Sequence, residues 1–279
     1  MARSGWHGSL ALRYRRRDER TLVHDRHEGP LRVLKSLHPE GAEVCHSVLV
    51  HPPGGVVGGD TLAIEIGLEA GAHALLTTPG ATRFYRSAGA TATQALAVRA
   101  EAGARLEWLP LETIAYSGCI AENRSRFLLA PGAEMIGWDI TALGLPASSQ
   151  PFVTGRFTQA IELPGCWLER GTMRGDDRPL LESPLGWAGH SVLATLWFAA
   201  GTALAEPRRD ALLEAARELM RDDPLRPLAG VSAVQPRVVV ARALAPRVEP
   251  AMALLTRIWG AWRIAAWERA PCAPRVWQT

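Results

Sequence analysis

Cysteine is scarce: Cys45, Cys119, Cys166 and Cys272 are the four in 279 residues, and no two of them form a CxxC pair. That excludes the ligand spacing of a structural zinc site and a dense disulfide framework, so a reduced, cytoplasmic chain is expected. Long apolar runs are lacking too. The nearest approach, residues 191–204, is shorter than the roughly 18 residues that would suggest a membrane span. The start MARSGWHGSLALRYRRR carries no apolar stretch ahead of a small-residue cleavage site, so neither a secretory signal nor a membrane partner is expected. Nor does one sign of charge dominate. A formal net charge of +3 falls well short of the concentrated positive field of a nucleic-acid binder. The one dense basic run, RYRRR at 13–17, reads as a solvated strand.

Signatures of catalysis are also absent. The eight histidines show no HExxH spacing, and Ser148 and Ser149 lack a GxSxG elbow. Glu65, Glu112, Asp139, Asp176 and Asp177 are scattered over strands and turns, where a solvated face is the default reading. A carbohydrate-active enzyme on a β-solenoid, the rival reading, needs two carboxylates about 5 to 9.5 Å apart in a groove.

What the chain does have is enough apolar material, 47% of residues, for a substantial core. From about residue 6 to 200 it consists of short alternating segments cut by Gly and Pro. Leu62, Ile64, Ile66 and Leu68 share one face of such a segment, the pattern of a half-buried strand. The stretches LEAGAHALLTT, AEAGARLEWLP, LAPGAEMIGWD and ELPGCWLERGT each set a glycine, Gly71, Gly103, Gly132 and Gly165, in a turn between apolar segments at spacings of 32, 29 and 33 residues. The expected fold is mainly β: antiparallel hairpins stacked in a β-helix-like or elongated sandwich. It is β-rich over 1–204 and helix-containing over 205–279, in one domain spanning 1–279. Helical spacing of Leu212, Leu213, Ala216, Leu219 and Met220 predicts a helix over 207–222, and Leu254, Ile258 and Trp262 predict another over 250–268. GVSAVQPRVVVARALAP between them reads as one or two strands.

The most unusual segment is HPPGGVVGGD at 51–60. It lacks the Lys-Ser/Thr end of a P-loop and runs into a strand rather than a helix, so it is not a phosphate cradle. His51 and Asp60 at its ends have two readings. They are plausible ligands for a borderline metal such as nickel, or the segment is a turn-rich corner in which Asp60 caps backbone N–H groups.

These segments resemble the urease accessory protein D family (H in some bacteria) over nearly the whole chain. The resemblance is carried by GPLRVLKSLHPEG at 29–41, the glycine block at 51–60, GAHALLTTPGATRFYRS at 71–87, LEWLPLETI at 106–114, GWD at 137–139, LPASSQPFVTGRF at 145–157 and the end from 258. It implies a right-handed β-helix-like stack with a small helical element. It further implies a non-enzymatic scaffold between apo-urease and an F-type accessory protein, which recruits a G-type GTPase. Nickel would pass through the complex transiently, with no tightly bound cofactor. The positions implied for an internal polar route are Asp60, Thr78, Ser87, Glu112 and Asp139. The chain departs from the common family pattern at Arg83, Asp139 and Leu145. It departs also at Ser117-Gly118-Cys119, where an acidic residue is lost and Cys119 is either a soft ligand or, as favoured here, an inert buried thiol. An interaction module with no metal role is the third reading.

The tail ending Pro274-Arg275-Val276-Trp277 reads equally as core packing or as an interface anchor. On the anchor reading, truncation after Ala270 weakens binding to the F-type partner in a pull-down titration, and unchanged affinity would sink it.

Overall fold

The computed structural model describes residues 5–145 and 148–278, so Pro146 and Ala147 of the LPASSQPFVTGRF segment lie outside the described residues. Its architecture follows from a repeated four-residue turn. In Glu69–Ala72, Glu101–Ala104 and Ala130–Ala133 the last backbone N–H donates to the first carbonyl at 3.0, 3.0 and 2.9 Å. Gly71, Gly103 and Gly132 hold the third position at φ 70, 69 and 78°, the left-handed region a type II turn requires there. The turns lie on one another: a Cβ on Gly132 would come within 3.6 Å of the Gly103 nitrogen.

Each of these turns carries the chain from one sheet to the other. The first sheet runs, in order, β14 (Trp167–Arg174), β13 (Arg156–Leu163), β11 (Ile120–Leu129), β8 (Ala92–Ala100), β5 (Thr61–Leu68), β1 (His7–Arg17) and β2 (Arg20–Glu28). The second runs β16 (Ala229–Gln235), β17 (Val238–Ala245), β15 (Val192–Ala200), β12 (Glu134–Leu143), β9 (Arg105–Trp108), β6 (His73–Thr77), β4 (Val44–Val50) and β3 (Arg32–Leu37). Short β7 (Thr82–Phe84) and β10 (Thr113–Ala115) stack beside the end of β12.

The chain is thus mainly β and stacked like a solenoid, as its glycine repeat implies. Strand direction needs correcting. β1, β5, β8, β11 and β13 pair in parallel, as do β4, β6, β9 and β12, because a chain that visits the other sheet between two strands returns pointing the same way. Antiparallel pairing is confined to the ends of the stack; Gly165 alone of the four glycines turns a true hairpin, β13–β14. The strand alternation of Leu62, Ile64, Ile66 and Leu68 is as read from the sequence, all four being buried.

Helices α2 (Glu206–Arg221) and α3 (Val248–Trp267) fall where their apolar spacing put them, and the segment between them forms two strands, β16 and β17. A short α1 (Arg178–Glu182), capped by Asp177 accepting from the Leu180 N–H at 3.1 Å, was not legible beforehand. Two cores result. One fills the space between the sheets; the other lies between the second sheet and α2 and α3, with Trp138, Trp259 and Trp262 at its centre. Trp277 packs onto that second core, its ring centroid 5.1 Å from Trp138 and 5.5 Å from Trp259, and its Nε1 donates to Thr77 Oγ1 at 2.8 Å. Truncating the tail therefore also strips core contacts.

Helix α3 is pinned by charge as well as by apolar area. Arg263 is fully buried; its Nη2 donates to Glu40 Oε2 at 2.6 Å, its Nη1 to the Ala270 carbonyl at 3.0 Å, and its Nε lies 3.4 Å from Glu107 Oε2. Glu107, also fully buried, accepts from Trp259 Nε1 at 2.6 Å and pairs with His73 Nε2 at 2.8 Å. Burial would raise the Glu40 carboxyl, but hydrogen bonds from His46 and Arg263 outweigh it and hold it below the usual range. Arg263→Ala removes the cation shared by the buried Glu107 and the part-buried Glu40 and is expected to cost about 3–5 kcal/mol in urea unfolding. Arg263→Met combined with Glu107→Gln should recover part of that loss, and additive losses would contradict a coupled node.

Candidate functional site

The connections opposite the glycine turns, 51–60, 78–91 and 109–119, cluster at one edge of the stack, where Val56 bridges to Phe84 and β7 pairs with β10. They wall a cavity of about 310 Å³ that reaches in between the sheets. Beside apolar lining such as Leu62, Ile64 and Trp108, its floor carries polar side chains. Gln94 and Asn123 enter from the first sheet, Thr113 and Asp139 from the second, and His51 and Thr78 stand at the connections.

The polar floor continues inward in register. Gln94, Asn123 and Gln159 are direct neighbours across β8, β11 and β13, forming a row of amides on the inner face. Gln94 Nε2 donates to Asn123 Oδ1 at 3.2 Å, and Gln159 Nε2 donates to Asp139 Oδ2 at 2.7 Å, crossing between the sheets. On the second sheet Asp139 neighbours Thr195, which neighbours Arg242. Thr195 donates to Glu169 Oε1 at 3.4 Å, and Arg242 forms an ion pair with the same carboxylate. With the Arg242 side chain 39% exposed, this vein of polar side chains runs from the cavity to solvent at the β14–β17 side.

Asp139, given a solvated face by default on chemistry alone, instead faces this interior. The reason is its place in β12: it alternates with Trp138 and Ile140, which face the helices. Burial pushes its carboxyl up to about 6, the Glu169 charge adds to the rise, and hydrogen bonds from Thr141 (2.8 Å) and Gln159 oppose it. Burial likewise pushes the His51 imidazole below its usual range, against the pull of Asp60, so it is neutral at pH 7 and open to a cation.

The sequence candidates divide. His51, Thr78 and Asp139 line the cavity; Asp60, Ser87 and Glu112 are not among its lining residues. Asp60 is buried, its Oδ1 accepting from the Trp6 N–H at 2.8 Å and its Oδ2 from the Val57 N–H at 3.0 Å. Thr78 Oγ1 accepts from the Leu111 N–H at 2.9 Å and donates to the Gly80 carbonyl at 3.0 Å. Ser87 Oγ donates to the Ala90 carbonyl and packs where Gly58 has no side chain, since a Cβ there would meet that oxygen at 2.1 Å. Glu112 engages through its carbonyl, which accepts from the Thr82 N–H at 2.9 Å. Cys119 is buried, and burial pushes its thiol up to about 12, away from metal-binding thiolate chemistry at neutral pH.

Gln94, Asn123, Gln159, Thr195 and Glu169 escaped the sequence reading. A signal was there: Gln94 and Asn123 are 29 residues apart, the spacing of Gly103 and Gly132, so both hold the same place in successive coils. Among the described residues no three His, Cys, Asp or Glu side chains gather into a closed metal site. Among the described residues Asp139 is the only carboxylate lining the cavity, so the acid pair of a glycosidase is not met there.

The UreD urease accessory protein family model matches residues 7–278. The urease accessory protein UreD of Leptothrix cholodnii is 59% identical over 276 residues, covering 98% of this chain and 99% of that protein. Those of Albidiferax ferrireducens and Paracidovorax citrulli are each 58% identical over 272 residues at the same coverage.

A carboxyl whose pKa is raised by folding contributes stability below its unfolded value near 3.8 that is lost as pH rises through about 6. Asp139→Asn removes that loss, because a flipped Gln159 can present its Oε1, which meets no donor among the described residues, to the new amide. The variant is therefore expected to gain roughly 1–2 kcal/mol over the wild type as pH rises from about 5 to 7.5. Calorimetric Tm values across that range check this, and a pH-independent difference would refute it.

Proposed function

The chain belongs to the UreD family of urease accessory proteins, and from that premise we propose that it serves urease maturation as a scaffold without catalytic chemistry of its own. In this reading it works in the cytoplasm, stands between apo-urease and an F-type accessory protein that recruits a G-type GTPase, and lets nickel pass toward the urease active site. The ion is cargo, held in transit only.

The observation that carries the reading is the polar vein centred on Asp139 inside a largely apolar sandwich. A part-buried carboxylate costs stability unless it is hydrogen-bonded, and this one accepts from the Thr141 hydroxyl on its own strand and from the Gln159 amide of the other sheet. Such a set suits a conduit. Nickel prefers imidazole and binds one carboxylate with amide and hydroxyl oxygens only weakly, so an ion entering at His51 and Thr78 can leave again past Gln159 toward Glu169. Its passage would displace the Gln159 hydrogen bond and ionise Asp139. Asp60, Ser87 and Glu112 then serve the route by holding its wall, since Asp60 and Ser87 already use their oxygens on the backbone.

The test is made in cells carrying a whole urease operon, measuring urease activity and urease-bound nickel. Deleting this gene is expected to leave urease made but nickel-poor. Asp139→Ala and Asp139→Asn should lower bound nickel by about tenfold while the chain still co-purifies with its partners. Full loading on deletion overturns the maturation role. Full loading in both Asp139 variants overturns the route and leaves a scaffold with no metal contact.

A further inference from the structure

We propose that the outer face of the first sheet, on the other side of its strands from the cavity, is a docking surface for a carboxylate-rich segment of a protein partner. The face holds a trough of about 930 Å³. Its floor is made of residues too small to fill it: Ala11 of β1, Gly67 of β5 and Ala97 of β8. Register sets arginines around that floor. Arg13 and Arg99 flank Gly67 on adjacent strands, about 10 Å apart at ordinary strand spacing, and Arg26 neighbours Ala11 from β2.

The charges in the trough are unequal. Arg13, Arg15, Arg26, Arg99 and Arg126 line it against one carboxylate, Glu65. Arg15 pairs with Glu69 at 2.7 Å and Arg126 with Glu162 at 3.3 Å, but Arg13, Arg26 and Arg99 join no ion pair among the described residues. All three are exposed. Planar guanidinium groups rising from a flat floor can each take a carboxylate through two N–H donors, which gives geometric selectivity as well as attraction.

A nucleic acid fits this face less well. Among the described residues no Phe, Tyr or Trp lines the trough to stack bases in series, His24 being its one ring, and Glu65 would lie against phosphates. A polypeptide tolerates Glu65, which can accept from its backbone N–H groups. The basic run at 13–17 thus contributes Arg13 and Arg15 to a surface rather than serving only as a solvated strand.

Binding of a fluorescein-labelled polyglutamate peptide to the full chain, followed by anisotropy near physiological salt, tests the proposal. The combined Arg13→Glu, Arg26→Glu and Arg99→Glu variant is expected to weaken binding by about tenfold or more, whereas Arg221→Glu on α2 should leave it unchanged. Glu65→Ala, which removes one exposed carboxylate, should strengthen binding severalfold and keeps the test intact if the triple variant does not fold. Absence of wild-type binding, equal affinity across the variants, or tighter binding of an oligo(dT) strand with the same arginine dependence would each overturn the proposal, the last in favour of nucleic acid.

Discussion

A guanidinium with no access to water organises this protein. Arg263 is buried, so the surrounding elements must meet its geometry: Glu40 from the connection before β4, Glu107 from the middle of β9, and the carbonyl of Ala270 from the tail. Three segments distant in sequence are thereby tied to one side chain on α3. A buried pair of this kind contributes little net stability compared with an apolar replacement, but it penalises any misplacement of its partners heavily. The apolar contacts of Trp259 and Trp262 would tolerate α3 sliding along the second sheet; the charged node would not.

The second sheet is therefore held on its outer side by helices. Its inner side is left to face the first sheet with side chains that do not all pack as oil. Asp139 sits at that juncture: Trp138 beside it anchors to the helical layer, its ring 6.5 Å from Trp259, while Asp139 itself points the other way. A strand whose alternate residues serve two different layers fixes the carboxylate's position through the packing of its neighbours. The polar vein can be costly in itself because its backbone is not free to relax away from it.

The sequence carried much of this and concealed the rest for identifiable reasons. Period-two alternation marked β5, helical spacing marked α2 and α3, and the recurring glycines marked the stack, since each of these depends only on residues near in sequence. Strand direction was not readable, because a glycine turn within a sheet and one between sheets use the same Pro-Gly or Ala-Gly chemistry; Gly132 and Gly165 differ only in where the next strand goes. Half of the site candidates came together for the same reason in reverse. His51, Thr78 and Asp139 reach the cavity because distant segments are brought together, whereas Asp60 and Ser87 spend their side-chain oxygens on backbone groups of Trp6 and Val57 and of Ala90. The amides Gln94, Asn123 and Gln159 look like ordinary polar residues until pairing across three parallel strands aligns them.

The two edges of the stack obey different rules of change. The glycine edge spends four residues on each passage between sheets, with each turn resting on the one before, so it has no slack. The opposite edge makes the same passage through the longer connections 51–60, 78–91 and 109–119, where a residue gained or lost outside β7 and β10 is taken up by loop length. Within the strands the arithmetic is parity: one residue inserted between Gln94 and Gly103 would turn Gln94 outward and bring an apolar neighbour onto the polar row. Descendants of this chain can thus remodel the mouth of the cavity by small steps in length, while the row of amides behind it is alterable only by substitution or by insertions of two.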